Sequence, residues 1–366
     1  MSNSWRQVYT KLINFIAEHP EIRIEPSLVI MPESVRAEFY QLFGEVRAVW
    51  VKGKFLNLIN EARLLSQNYL KSEEEVIQLL KLNSVSKSKP HQFFLQDPID
   101  GMTRLLFDPL FDLLKGKVDA KTFEAMSLRK LEASFRTFYI LGYQKWIAIS
   151  LIKLLKADKL FQVNLRKLDK SERTIITSAA SEEPVPYPVE SAHLSFDHKP
   201  KTLFIVPDYI VHSTETNGYI SVRAELESAI AIATNASEQK EWYPIDSLVS
   251  ITPDLTLVYV ADKPEELSIV ADAKKICRPD LLISLHMQKD RFEEEELERV
   301  KSYHNSLKPR LGTYVVSKEA VPEHVLTEPE EGIQILPVGF DESKMAPIIG
   351  ALKGWQSKGV IPIEII

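Results

Sequence analysis

One cysteine, Cys277, stands in the whole chain of 366 residues. It excludes an internal disulfide framework and a cysteine-rich zinc site, and it fits a reducing compartment. Glycine is scarce too: the 12 present are about half the usual ~7% frequency. No GxGxxG and no GxxxxGK[ST] occurs, so the backbone turns that cradle phosphates in Rossmann and P-loop proteins are missing, and no nucleotide cofactor is expected. There is no GxSxG elbow and no HExxH. No segment holds 18 apolar residues without a charge, and the opening MSNSWRQVYTKLINF lacks a basic stretch leading into an apolar core. The expectation is a cytoplasmic protein with no membrane partner.

Charge is divided unevenly. Residues 1–173 carry 27 Lys/Arg against 20 Asp/Glu, and the rest carries 18 against 31. The basic excess lies in 101–173, with 15 against 8, which makes DNA a candidate partner; ordinary lysine-rich helix surfaces give the same count. A protein partner is the other candidate.

Apolar spacing predicts amphipathic helices over 4–19, 33–47, 52–70 and 72–83, a polar loop at 84–92, and a resumed helix around DGMTRLLFDPLFDLL. The strongest periodic stretch runs from Leu128 through Leu131, Phe135, Phe138, Gly142, Trp146 and Ile149 to Ile152, a long buried helix. From 174 to 201 the composition turns rich in proline and serine and loses any helical period, as a linker would. Beyond it come the β-rich runs KTLFIVPDYIVHS, GYISVRAEL, LTLVYVAD, DLLISLHM, LGTYVVSK and GIQILPVGF, with FEEEELERVKSYHNSLKP and ESKMAPIIGALKGW as helices between or after them. The fold class is therefore α+β overall: an all-helical domain over 1–173, a linker over 174–201, and an α/β domain with a mixed sheet over 202–366.

One constellation carries chemistry. In PDLTLVYVADKPEELSIVADAKK, Pro253-Asp254 opens a strand and Asp272-Ala273-Lys274 follows eighteen residues after Asp254. Two carboxylates can share a divalent metal that polarises a scissile phosphate and activates water, while a lysine assists the nucleophile. On a strand, residues i and i+2 share a face, which sets Asp272 beside Lys274; on a helix they lie about 200° apart. Local signals over 264–276 divide between the two. Asp262, Pro264, Glu265 and Glu266 suit a helix start, whereas Leu267, Ile269 and Ala271 alternate as in a strand. The tripeptide itself recurs at Asp119, Glu238 and Glu342, so context must decide. A second placement uses the hairpin signal Asn217-Gly218: Pro207-Asp208 then takes the first position, and the facing strand offers Ser221, Arg223 and Glu225, a degenerate set.

Taken with the helix ELERVKSYHNSLKP, the strand RLGTYVVSK and the late segment GIQILPVGF, these motifs resemble the PD-(D/E)XK nuclease superfamily, and more loosely the nuclease subunits of McrBC-type restriction systems. The helix GYQKWIAISLIKLL resembles the aromatic helix preceding the nuclease strands, with Gln144 where the family often carries a glutamate supporting the metal. CRPDLLISLHMQKD stands as an insertion after the DAKK motif. The resemblance implies a restriction-endonuclease-like sheet and Mg²⁺-dependent hydrolysis of DNA, with Asp254 and Asp272 holding metal and Lys274 and Gln144 assisting. Phosphate contacts would come from Lys145, Lys153, Lys156, Lys159, Arg166, Lys167 and Lys170.

Overall fold

In a computed structural model, residues 4–167, 184–197, 205–224, 242–244, 255–269, 275–286, 294–319 and 331–357 are described. The first helix, α1 (Trp5–Glu18), starts at Ser4, whose main-chain N–H donates to Gln7 Oε1 (3.2 Å), and buries Trp5, Val8, Leu12 and Phe15 at helical spacing. Two short strands, β1 (Arg23–Ile24) and β2 (Val29–Ile30), pair antiparallel before α2 (Glu33–Leu80). The sequence predicts three helices across this last stretch. They form one, because no proline or turn residue interrupts the joints; the ladder is disturbed only at Phe55 (φ −122°, ψ 21°), two residues after Gly53.

Residues 1–70 and 88–142 make one compact unit. It holds most of α2 together with α3 (Lys89–Gln96), α4 (Pro98–Arg104), α5 (Phe107–Leu114) and the first part of α6 (Ala120–Leu154). Aromatic side chains dominate its core. Phe123 lies between Trp5 and Trp50, with ring centroids 5.2 and 6.1 Å away, and Phe94 packs on Phe135 at 5.8 Å. Gly101 lets α4 press against α3: a Cβ there would lie 2.6 Å from Phe94 Cα. Gly142 serves α6 similarly, since its Cβ would meet Leu65 and Leu95 at 3.1 Å.

Residues 71–87 and 143–366 make the second unit. Its eight-stranded sheet runs in the order β14 (Ile333–Pro337), β13 (Thr313–Ser317), β12 (Leu281–His286), β10 (Leu255–Ala261), β8 (Gly218–Arg223), β7 (Tyr209–Ser213), β4 (Ala157–Arg166), β5 (Val185–Glu190). The pairs β12–β13 and β13–β14 are parallel and the others antiparallel. Helix α7 (Glu294–Leu307) connects β12 to β13, and α8 (Ala346–Ser357) follows β14. Two further pairs stand apart from the sheet: β3 (Ser84–Ser86) with β6 (His193–Ser195), and β9 (Trp242–Pro244) with β11 (Lys275–Cys277). The fold is thus α+β, helical in its N-terminal part with a mixed sheet in its C-terminal part. Among the described residues no helix is long and apolar enough to cross a membrane.

Three sequence boundaries move. The sheet begins at Ala157 rather than after 201: α6 ends at Leu154, Lys156 takes a left-handed turn (φ 46°), and the chain enters β4. Of the stretch expected as a linker, 185–190 is the sheet's edge strand. Pro186 and Pro188 suit that place, because residues two apart direct the same backbone side outward and neither has an N–H to leave unpaired. The loop expected at 84–92 contains β3 and the start of α3, which begins after Ser88 with Pro90 in its first turn.

Replacement of Gly101 by alanine is expected to destabilise the helical unit by about 1–3 kcal/mol, the usual cost of forcing a group into a packed contact. Urea unfolding followed by helical circular dichroism measures it, and an unchanged midpoint would show that the α3–α4 approach has slack.

Candidate functional site

The centre of the sheet is β10, LTLVYVA, buried at every position. Leu255, Leu257 and Tyr259 pack in the cluster that includes Tyr303 and Leu307 of α7. Residues of α6 reach the sheet on hydrogen bonds: Tyr209 Oη donates to the carbonyl of Ala148 at 2.7 Å, and Gln144 Nε2 donates to Thr256 Oγ1 at 3.0 Å, with the Leu255 carbonyl 3.5 Å away. Gln144 is buried, and its Oε1 has no hydrogen-bond partner among the described residues. The helix residue singled out from the sequence therefore stands at the N-terminal end of the strand that Pro253-Asp254 precedes.

Both edges of β10 are occupied. Residues 255–258 pair with 281–284 of β12, and 257–261 pair with 219–223 of β8. The segment taken from the sequence as an insertion, CRPDLLISLHMQKD, supplies β12, a central strand. Its apolar run LLISL, bounded by Pro279-Asp280, was the signal for it. Ser284 lies opposite Leu255 and His286 opposite Ser317 of β13, all three polar residues buried at the carboxyl ends of the parallel strands β12 and β13. Ser284 Oγ has no partner among the described residues. Ligands of α/β sheets commonly bind at such strand ends, and sequence reasoning did not single out Ser284 or His286. Asp280, at the opposite end of β12, extends the backbone pairing: its Oδ2 accepts from the Val260 N–H at 2.7 Å, where the β12 ladder has ended.

The stretch 264–277 divides into a 3₁₀ turn at Pro264–Leu267, with Ser268 still helical (φ −68°, ψ −20°), and β11, which pairs with β9. Asp254, Asp272 and Lys274 lie outside the described residues, as do Glu225 and Lys170. Among the described residues no group of three His, Cys, Asp or Glu could hold a metal ion.

At the second placement the hairpin forms as the Asn217-Gly218 signal implies, with Asn217 at φ 46° and β7 paired to β8. Asp208 and Arg223 come together there in a buried ion pair. Asp208 Oδ1 accepts from Arg223 Nη1 at 2.8 Å, and Oδ2 accepts from the Ala224 N–H at 2.6 Å. Its main chain is engaged as well, with the carbonyl accepting from Gln162 Nε2 at 3.1 Å. Both carboxylate oxygens already accept hydrogen bonds, so the described part of this placement does not fit a metal. Ser221 Oγ is buried without a partner among the described residues.

The lysines expected to meet phosphate are differently placed. Lys145 is buried, its Nζ 5.7 Å from the Phe196 ring centroid. Lys153 Nζ donates to both oxygens of Glu342 at 2.7 and 2.8 Å and also pairs with Glu75. Burial pulls the Lys153 pKa down, but these carboxylates outweigh it and the net shift is upward. Lys156 pairs with Glu215, which Lys353 also holds. Lys159, Arg166 and Lys167 are exposed, and the Arg166 guanidinium lies 5.5 Å from the Tyr187 ring centroid. Of the six described candidates, Lys145 and Lys153 are thus turned to internal use, while Lys156 is exposed and ion-paired.

Compared with known proteins, the chain matches no family model, no curated protein and no solved structure.

Substituting Arg223 by alanine leaves the Asp208 carboxylate buried without its counter-charge, and about 3–5 kcal/mol of stability is expected to be lost. Chemical denaturation measures that loss; a change below about 1 kcal/mol would mean that water reaches the pair. A pH effect is expected at Glu215, whose pKa the hydrogen bonds from Lys156 and Lys353 lower to about 2 from 4.5. A depressed carboxylate pKa means stabilisation that is complete above pH about 4.5 and lost as pH falls through about 2. The thermal midpoints of the protein and of Glu215→Gln are accordingly expected to converge across that window; a constant gap would count against it.

Proposed function

We propose that this chain is a nuclease-like DNA-processing protein of the PD-(D/E)XK type, with its reaction centre at the N-terminal end of β10. One observation carries the reading. Gln144 and the strand following Pro253-Asp254 are more than a hundred residues apart in sequence, the resemblance places them together, and Gln144 donates to Thr256 at 3.0 Å. The buried Oε1 of Gln144, which has no hydrogen-bond partner among the described residues, is a hard oxygen donor of the kind magnesium takes. Asp254 and Asp272 would hold such an ion with Gln144 in support, and the ion would supply Lewis-acid polarisation of the scissile phosphate and a more acidic water. Lys274 would stabilise the charge that develops on the phosphate, and the apolar walls around β10 would limit access of bulk water to that end. Lys159, Arg166 and Lys167 remain as exposed phosphate contacts.

A second reading draws on a separate observation: neither strand beside β10 offers an acid-x-lysine set. β8 contributes Ser221 and Arg223 and β12 contributes Ser284 and His286, while β11 pairs elsewhere. Under it the protein keeps the scaffold, has no reaction, and binds nucleic acid or a protein partner. Exposed apolar side chains on the helices, among them Tyr40, Leu56, Leu64, Phe107 and Met126, suit the protein partner.

Cleavage of plasmid DNA with magnesium and with a chelator separates the two. The nuclease reading expects cleavage in magnesium alone, abolished by Asp254→Ala and Lys274→Ala and lowered roughly ten- to a hundredfold by Gln144→Leu, as for residues that support metal ligands. Cleavage unaltered in the first two variants rejects the assigned site, and none by the unmodified chain overturns the reading in favour of a binding protein.

A further inference from the structure

Arg47, Asp100, Thr103, Arg104 and Phe107 line an open pocket of about 400 Å³ in the helical unit, between α2, α4 and the start of α5. Its two guanidinium groups are held by aromatic rings. Arg47 lies 4.9 Å from the Phe43 ring centroid and 5.7 Å from that of Phe107, and Arg104 lies 3.6 Å from that of Phe93. Arg47 Nε and Nη1 donate to the carbonyls of Phe43 and Thr103, each at 3.3 Å, which commits two of its five N–H groups to its own backbone surroundings. Arg104 Nε donates to Asp100 Oδ2 at 2.8 Å. The lining therefore carries two cations and one anion, a net charge of one positive unit in a concave setting. Burial lowers the pKa of Arg47, Asp100 opposes that shift, and Arg104 adds to it. An incoming anion would relieve the repulsion between the two cations. At the rim, Phe107 is 41% exposed, unusual for a phenylalanine packed edge-on against Phe43.

We infer that this pocket binds one nucleotide of a single-stranded nucleic acid, with its phosphodiester on Arg47 and Arg104 and its base stacked on Phe107. A phosphodiester carries the single negative charge that the lining lacks, and the fork of an arginine matches its paired oxygens. The volume suits a nucleotide and far exceeds a lone carboxylate, while Asp100 disfavours a second acidic group and can accept from an exocyclic amine. Stacking on an aromatic side chain needs no particular base, so the expected binding is sequence-tolerant.

The test is fluorescence anisotropy of a labelled single-stranded oligonucleotide of about ten nucleotides with the full chain, in chelator so that no cleavage occurs. Phe107→Ala and Arg104→Ala are each expected to weaken binding roughly tenfold. Arg47→Lys, which keeps the charge and loses the fork, is expected to weaken it too. Lys54→Ala, an exposed site on α2, is expected to change it by less than about twofold. Thermal melting checks folding first; if Phe107→Ala fails that check, Phe107→Leu, which keeps apolar bulk and removes the ring, decides. Unchanged affinity in the Phe107 and Arg104 variants overturns the inference, as does the absence of binding by the unmodified chain. Equal competition by polyglutamate also overturns it, because the pocket would then take any acidic chain. Metal and the β10 centre play no part in the measurement, so its failure and that of the nuclease reading are distinguishable.

Discussion

A strand buried on both faces and paired along both edges has no side left for chemistry, and β10 is such a strand. Its seven residues give the second unit its centre, with α7 packed through Tyr303 and Leu307 and α6 tied down through Gln144. Functional groups can then gather only at its ends. At one end Asp280 completes the backbone ladder by accepting from Val260. At the other stand Gln144, Ser284 and the chain leading in from Pro253-Asp254. Gln144 Oε1 and Ser284 Oγ near that end have no hydrogen-bond partner among the described residues, and a buried polar atom left so is costly.

The same burial governs the charges. Asp208 is buried and so needs specific partners, which are Arg223 and the Ala224 N–H, while the partly buried Lys153 has Glu75 and Glu342. These ties hold the sheet to its surrounding segments. They also mean that a count of lysines overstates the positive surface offered to a polyanion. In the helical unit the balance differs, since Arg47 and Arg104 share a single carboxylate and line an open pocket.

Periodicity carried far. The long helix through Trp146 appears, beginning at Ala120 rather than Leu128, each of the six β-rich runs contains a strand, the first from Tyr209, and the helices between or after them lie within a few residues of their expected limits. What was missed has identifiable causes. Lys156 to Arg166 follows a strong helix directly, and the alternation of Phe161, Val163 and Leu165 was hidden by charged and polar residues interleaved with it. Pro186 and Pro188 signalled a linker because proline breaks central strands, yet an edge strand accommodates both.

Neighbouring residues were enough to settle most of the helices and strands and the division into a helical N-terminal part and a C-terminal mixed sheet. Local propensity and side-chain period carry that information along the chain itself. Folding in three dimensions added which strands adjoin β10, that Asp208 is neutralised by Arg223, and which lysines are consumed by carboxylates. Strand order and charge pairing depend on residues brought together from far along the chain, and burial, which sets the strength of each such contact, exists only once the chain has folded.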